Sequence, residues 1–240
     1  MALYRCRGVV LRTYKLGEAD RIIVLATDEY GKVRAVAKGV RKTKSRIGAR
    51  LEPTSHVNVL MYQGKGELDI VSQAESIDLF AAIRGDLDRL THANSLLEIV
   101  DLTLQERQRE PALYQMLVGA LRELERSDSP ILVPAFGWKI LAHEGYHPSL
   151  DECVRCRTTD DPPGTLVGFD SAAGGVTCRV CTIGPALAPG ALALLRRILG
   201  GGLASALREP PSAATHEVER LVTLALESTL ERRLKVGRLR

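Results

Sequence analysis

Two Cys-x-x-Cys pairs constrain this chain more than any other feature. Cys153-Val-Arg-Cys156 and Cys178-Arg-Val-Cys181 are separated by twenty-one residues. One such knuckle turns two thiols toward a common point, and Zn²⁺ takes four soft ligands in a tetrahedron, so two knuckles complete one site. The sequence between them provides a return path. Leu166–Asp170 and Gly175–Cys178 read as two strands around Ser171-Ala-Ala-Gly-Gly175, a hairpin that carries the second knuckle back to the first. The rival readings are weaker. A disulfide within one pair is strained and local, and a thioredoxin-type dithiol requires a βαβ unit that this sequence does not show. Four protein ligands leave no open coordination position, so Cys153, Cys156, Cys178 and Cys181 are expected to hold one structural zinc ion. Residues 148–185, rich in Asp, Thr, Gly and Pro, need such a staple. Metal binding of this class supplies an apparent free energy of about 10–16 kcal/mol at neutral pH. The fifth cysteine, Cys6, is expected to be a reduced thiol beside a strand.

On either side of this insert the hydrophobic period divides the chain. Residues 9–13, 21–27, 33–37, 56–62 and 68–73 are short, β-branched or alternating, and turn signals separate them. Five strands with no room for crossover helices predict a small barrel. The OB type is the commonest answer and an SH3-like barrel the alternative. From Ser76 the period becomes 3.6, with Leu79, Ile83, Leu87, Leu90, Leu97, Val100 and Leu104 in one stripe that breaks near Thr91. Pro111 opens a second helix, and Ser129 is expected to cap a third that ends near Gly145, because Pro148 follows. Residues 192–207 and 216–234 carry two further helical stripes. The expected fold class is therefore multidomain α+β: an OB-type barrel over 1–78, an all-α domain over 79–147 and 186–240, and the zinc-binding insert at 148–185.

Charge is placed unevenly along these units. Residues 1–80 hold fourteen Lys/Arg against nine Asp/Glu, whereas the remaining 160 residues hold nineteen against twenty. The excess is concentrated between Tyr30 and Leu51, where Lys32, Arg34, Lys38, Arg41, Lys42, Lys44, Arg46 and Arg50 meet no acidic residue. A solvated surface usually mixes signs, so a run of one sign indicates a polyanionic partner. Nucleic acid is the natural one for a barrel of this size, held by phosphate contacts that carry no sequence information. Tyr4, Tyr14, Tyr30 and Tyr62 are candidates for stacking on bases, against the plainer role of strand or core residues. A second basic run, Arg232, Arg233, Lys235, Arg238 and Arg240, also suits a helix C-terminus.

Other function classes receive less support. His143-Glu144-Gly145-Tyr146-His147 matches the H-E-x-x-H pattern of zinc peptidases. That pattern works only when one helix holds both imidazoles on one face, and Gly145 and Pro148 end the helix here. The match is expected to be accidental, and no enzyme activity is expected. The longest uncharged stretch, 180–195, is too short and too interrupted by Gly and Pro to cross a bilayer. No secretory signal is legible at the N-terminus, so a cytoplasmic, nucleoid-associated location is expected.

Several segments resemble one known family. Gly8-Val-Val-Leu-Arg12, Gly17-Glu-Ala-Asp-Arg21, the stretch from Ala37 to Arg46 and Leu51-Glu-Pro53 resemble the N-terminal half of the RecO family of bacterial recombination mediators. Gly145-Tyr-His-Pro148 followed by Leu150 and the first Cys-x-x-Cys pair resembles the approach to that family's zinc module. The resemblance implies an OB fold, a helical domain and a zinc-binding module. It implies a non-enzymatic role in DNA repair: binding of single- and double-stranded DNA, annealing of complementary strands, and help in loading recombinase RecA onto DNA coated by single-stranded-DNA-binding protein. It further implies RecR and the acidic C-terminal tail of the single-stranded-DNA-binding protein as partners. An RNA-binding OB-fold protein is the alternative reading.

Overall fold

The computed structural model describes residues 2–42, 45 and 47–230. They form two compact units, one up to Ser127 and one from Asp128.

In the first unit, strands β1 (Leu3–Leu16), β2 (Asp20–Thr27), β3 (Gly31–Ala37), β4 (His56–Tyr62) and β5 (Asp69–Asp78) close a barrel in the order β1-β2-β3-β5-β4. All neighbours are antiparallel except β3 and β5, which close the barrel in parallel through Ala35–Asp69 and Val36–Ile70. This is the OB-type arrangement, not the SH3-like one. β1 pairs with both β2 and β4, and a register shift between Val10 and Arg12 bends it to do so. Inward positions alternate as the sequence pattern requires: Val33, Ala35 and Ala37 on β3, and Val57, Val59 and Met61 on β4, are fully buried.

Three helices complete this unit: α1 (Ala81–Gly85), α2 (Leu87–Thr103) and α3 (Pro111–Arg126). Their ends are capped mutually. The Glu125 carboxylate accepts from the Ala82 and Ile83 amides at 3.0 and 3.1 Å, while the Arg89 guanidinium donates to the Leu124 and Glu125 carbonyls at the end of α3. Two expectations fail locally. The helical period does not start at Ser76, because β5 continues to Asp78 and Phe80 then turns the chain with a left-handed φ of 48°. The break falls at Asp86 rather than near Thr91. The Asp86 carboxylate accepts from the Arg89 amide at 2.9 Å and starts a new helix, which leaves Leu87 exposed instead of in the core stripe.

In the second unit, α4 (Leu132–His143), α5 (Pro189–Leu199) and α7 (Ala213–Leu230) pack together, and β6 (Leu166–Asp170) pairs with β7 (Gly175–Cys178). The expected hairpin is found at the expected residues. Trp138 of α4 is fully buried and meets Phe169 of β6 edge to face at 5.7 Å, which joins the insert to the helices. The helix after Ser129 begins two residues later than a Ser129 cap implies, because the Ser129 hydroxyl accepts from the Ile131 amide ahead of the first turn. The stripe over 192–207 is not one helix. Gly200 to Gly202 terminate α5, Gly201 takes a φ of 97°, and a short helix α6 (Leu203–Ala206) follows. The helices of 79–147 are thus divided between the units, α1 to α3 with the barrel and α4 with the insert.

Candidate nucleic-acid interface and metal centre

The four cysteines of the insert converge. Their Sγ atoms all lie within 4.8 Å of one another, and Cys156 and Cys178 are 3.6 Å apart. A disulfide needs about 2.05 Å, so these are separate thiols. Four sulfurs about 2.3 Å from a central ion are about 3.8 Å apart along each tetrahedral edge, which the cluster matches. Backbone bonds build each knuckle: Cys153 donates to the Thr158 carbonyl at 2.8 Å, Arg157 to the Cys153 carbonyl at 2.9 Å, and Cys181 to the Cys178 carbonyl at 3.1 Å. The Thr158 hydroxyl, 3.1 Å from Cys156 Sγ, is the main cause holding that thiol down to about 6. Hydrogen bonds to Cys156 and Cys178 hold Cys181 up to about 12. Four thiolates this close require a cation between them, and the donor set fits zinc.

The H-E-x-x-H match does not form a metal site. Helix α4 ends at His143, Gly145 takes a φ of 90°, and Tyr146 and Gly145 donate to the Leu141 and Ala142 carbonyls in a Schellman closure. His147 lies beyond this turn, so the two imidazoles do not share a helical face. Among the described residues, His143, Glu144 and His147 do not come together as a ligand group.

The basic segment divides into two groups. Lys32 and Arg34 point toward the outer side of β3 and have partners there. Lys32 is mostly buried, donates to the Asp101 carbonyl at 2.6 Å and faces the Asp101 carboxylate at 3.6 Å. Arg34 pairs with Glu67 and Glu106 at 3.5 and 3.8 Å. These two residues thus have carboxylate neighbours, Lys32 at a buried carboxylate and Arg34 at two exposed ones. Lys38, Arg41, Lys42 and Arg50 are exposed, and none forms an ion pair among the described residues. Lys44 and Arg46 lie outside the described residues, as does the run from Arg232 to Arg240.

The loop bearing the exposed group is anchored at its base. The Gly39 amide donates to the Asp20 carboxylate at 2.7 Å, the Arg41 amide to the Ala19 carbonyl at 2.9 Å, and the Arg41 guanidinium to the Gly17 carbonyl at 3.1 Å. The backbone at Gly39 and Arg41 and the Arg41 guanidinium are therefore tied to the β1–β2 hairpin tip. At the far end Arg50 donates to the Ala74 carbonyl at 2.9 Å. Such an arrangement can neutralise several phosphates in a row while leaving the bases uninspected.

Comparison with known families settles the lineage. Residues 1–80 match the family model described as Recombination protein O N terminal, and residues 84–238 the one described as Recombination protein O C terminal. The chain belongs to the RecO family. Its role is in DNA recombination and repair, its barrel is of the OB type, and it binds DNA. No helix among the described residues is long and apolar enough to cross a membrane.

One residue central to this face escaped the sequence reading. Asp101, buried on α2, accepts Arg12 at 2.8 Å as well as facing Lys32. It stands four residues after Leu97, inside an apolar stripe, and a lone carboxylate there is the signal that a cation must reach it from elsewhere. The tyrosines also separate. Tyr4 and Tyr30 turn inward against each other at 4.6 Å, and the Tyr4 hydroxyl bonds Asp69 and Arg107. Tyr14 and Tyr62 are exposed.

Proposed function

We propose that this chain is a non-catalytic recombination mediator. It binds single- and double-stranded DNA through the basic loop of its barrel, anneals complementary strands, and assists recombinase loading on DNA coated by single-stranded-DNA-binding protein. The observation that carries the reading is the one-sign loop: Lys38, Arg41, Lys42 and Arg50 stand exposed, while Lys32 and Arg34 of the same run are held by carboxylates. Cations gathered in this way lower the repulsion between two phosphate chains brought side by side, which is what annealing requires.

Cys153, Cys156, Cys178 and Cys181 are proposed to hold one structural zinc ion. The ion supplies a cross-link between the first knuckle and the β6–β7 hairpin, and the protein's own part is to fix four sulfurs close enough to share it. RecR and the acidic tail of the single-stranded-DNA-binding protein are the partners proposed for the family's surfaces on this chain.

A strand-annealing assay at two salt concentrations tests the reading, with complementary DNA strands bare or coated by single-stranded-DNA-binding protein. The chain should accelerate pairing in both cases, more at low salt. Matched RNA strands annealed faster than DNA would favour the RNA-binding alternative, since only RNA offers 2′-hydroxyls. Annealing no faster than in the protein's absence would overturn the proposal.

A further inference from the structure

The barrel carries an apolar rank on its outside. Pairing registers place Tyr14 opposite Ile22, Ile22 opposite Val36, Val36 opposite Ile70, Ile70 opposite Tyr62 and Tyr62 opposite Leu3. Directly paired residues share a face of the sheet, and the neighbours of these residues along each strand (Ile23, Ala35, Val71, Met61) belong to the barrel core. The six therefore face outward in one continuous line across all five strands. Tyr14, Tyr62 and Leu3 are 44%, 40% and 51% exposed, and Ile22, Val36 and Ile70 are partly exposed.

The adjacent rank explains why this line stays open. Arg12, Val24 and Arg34 pair across the same three strands, and here Val24 is buried. Arg12 is bound to Asp101 and Arg34 to Glu106, so the elements after the barrel cover the outer face up to this rank. The next rank, starting with Tyr14, lies beyond those contacts. An apolar rank in such a place contributes nothing to the core.

The surroundings identify the occupant. The Arg12 guanidinium lies 5.4 Å from the centroid of the Tyr14 ring and is itself fixed by Asp101 at 2.8 Å. One face of the ring is thus held in place before any ligand arrives. Lys38 follows two residues after Val36, and Arg41 is bonded to Gly17 at the tip of the same hairpin that carries Tyr14. Of the nearby carboxylates, Asp20 is engaged by the Gly39 amide and Glu67 by Arg34, and Glu18 stands at the hairpin tip. A fixed aromatic ring, an apolar strip and a line of cations at its edge match the two chemistries of an unpaired nucleic-acid strand, the π-face of a base and the phosphate between bases. Adjacent strands are about 4.8 Å apart, so the strip from Tyr14 to Val36 is about 10 Å wide.

We propose that the outward rank Tyr14–Ile22–Val36 is a base-stacking platform for single-stranded nucleic acid, with Tyr14 as the stacking residue and Arg12 as its positioning residue. The proposal rests on the nucleic-acid reading above and extends it. The loop grips phosphate on any strand, whereas the rank engages bases only where they are unpaired. A duplex, whose bases are stacked on each other, gains nothing from it.

The test measures binding by fluorescence anisotropy to three labelled probes: a single-stranded oligonucleotide, an abasic oligonucleotide of equal length, and a duplex. Wild type should bind the base-containing strand more tightly than the abasic one. Tyr14→Ala should weaken the base-containing strand between about fivefold and a hundredfold, as the loss of one stacked base does. It should leave the abasic and duplex probes within twofold, and Tyr14→Phe should restore binding. Tyr14 is exposed, and an unchanged melting temperature in Tyr14→Ala verifies the fold. Single-strand binding in Tyr14→Ala equal to wild type overturns the platform and leaves the rank as a protein-docking surface. An equal loss on single strand and duplex also overturns it. Wild type binding none of the three probes would instead refute the underlying nucleic-acid reading.

Discussion

Replacing Lys38, Arg41 and Lys42 together by Gln removes three exposed cations that have no carboxylate partner among the described residues. Each phosphate contact on a single strand contributes about 0.7 to the slope of log affinity against log salt, so the slope should shrink in magnitude by about 2. Over the fourfold range from about 50 to about 200 mM salt, the wild type should lose ~18-fold more affinity than the variant. Anisotropy titrations of a labelled single strand at four salt concentrations give both slopes. Lys32→Gln is the internal comparison. Its side chain is 14% exposed and its ammonium meets Asp101, so the slope should not move. Stability should fall by about 1–3 kcal/mol instead, because a buried carboxylate loses one of its two cations. A triple variant with an unchanged slope would refute the assignment of the loop. A slope loss in Lys32→Gln as large as that of one loop cation would refute the division of the segment into a carboxylate-paired group and an exposed group.

Two further outcomes follow from the geometry. Cys153→Ser should abolish tight zinc binding, measured as metal content per chain after dialysis, and lower the melting temperature of the chain. Loop binding to DNA should change by less than about twofold, because the basic loop belongs to the other compact unit; a full metal complement in this variant would sink the ligand assignment. His56 gives a pH signature. It is buried, its Nε2 meets the Tyr114 hydroxyl at 2.7 Å, and burial, helped by Arg122, lowers its pKa from the ordinary 6.5. The unfolded chain therefore takes up this proton first. Stability is fully present above 6.5 and declines as pH falls from there toward the lowered folded value. Denaturant unfolding at stepwise pH should show that decline in wild type and a shallower one in His56→Gln; equal slopes in the two proteins would exclude His56 as the source.

Period-two alternation, a 3.6 stripe and cysteine spacing are local properties, and each survived folding. The strands on β2 to β4, the helix opened by Pro111 and the β6–β7 hairpin stand where the sequence placed them. The cysteines converge because a knuckle is a turn of four residues and its partner needs only a hairpin to return. Where the reading missed, a short polar side chain or an unusual backbone angle overrode a pattern. Asp86 and Phe80 reset the helix that Leu79 and Leu87 implied, and Gly201 cut the stripe over 192–207.

Charge was legible only as a run. The sequence by itself determined that eight cations lie between Tyr30 and Leu51 without an acid among them. It could not tell which meet carboxylates, because Asp101 and Glu106 are remote in sequence and meet Lys32 and Arg34 only after the helices cover the outer face of the barrel. The outward rank was equally hidden. Its members come from five strands, and each looks like an ordinary strand residue until the pairing register places them side by side. Period and spacing are written along the chain, whereas register, ion pairing and exposure arise between segments far apart in it, so only the tertiary structure decided them.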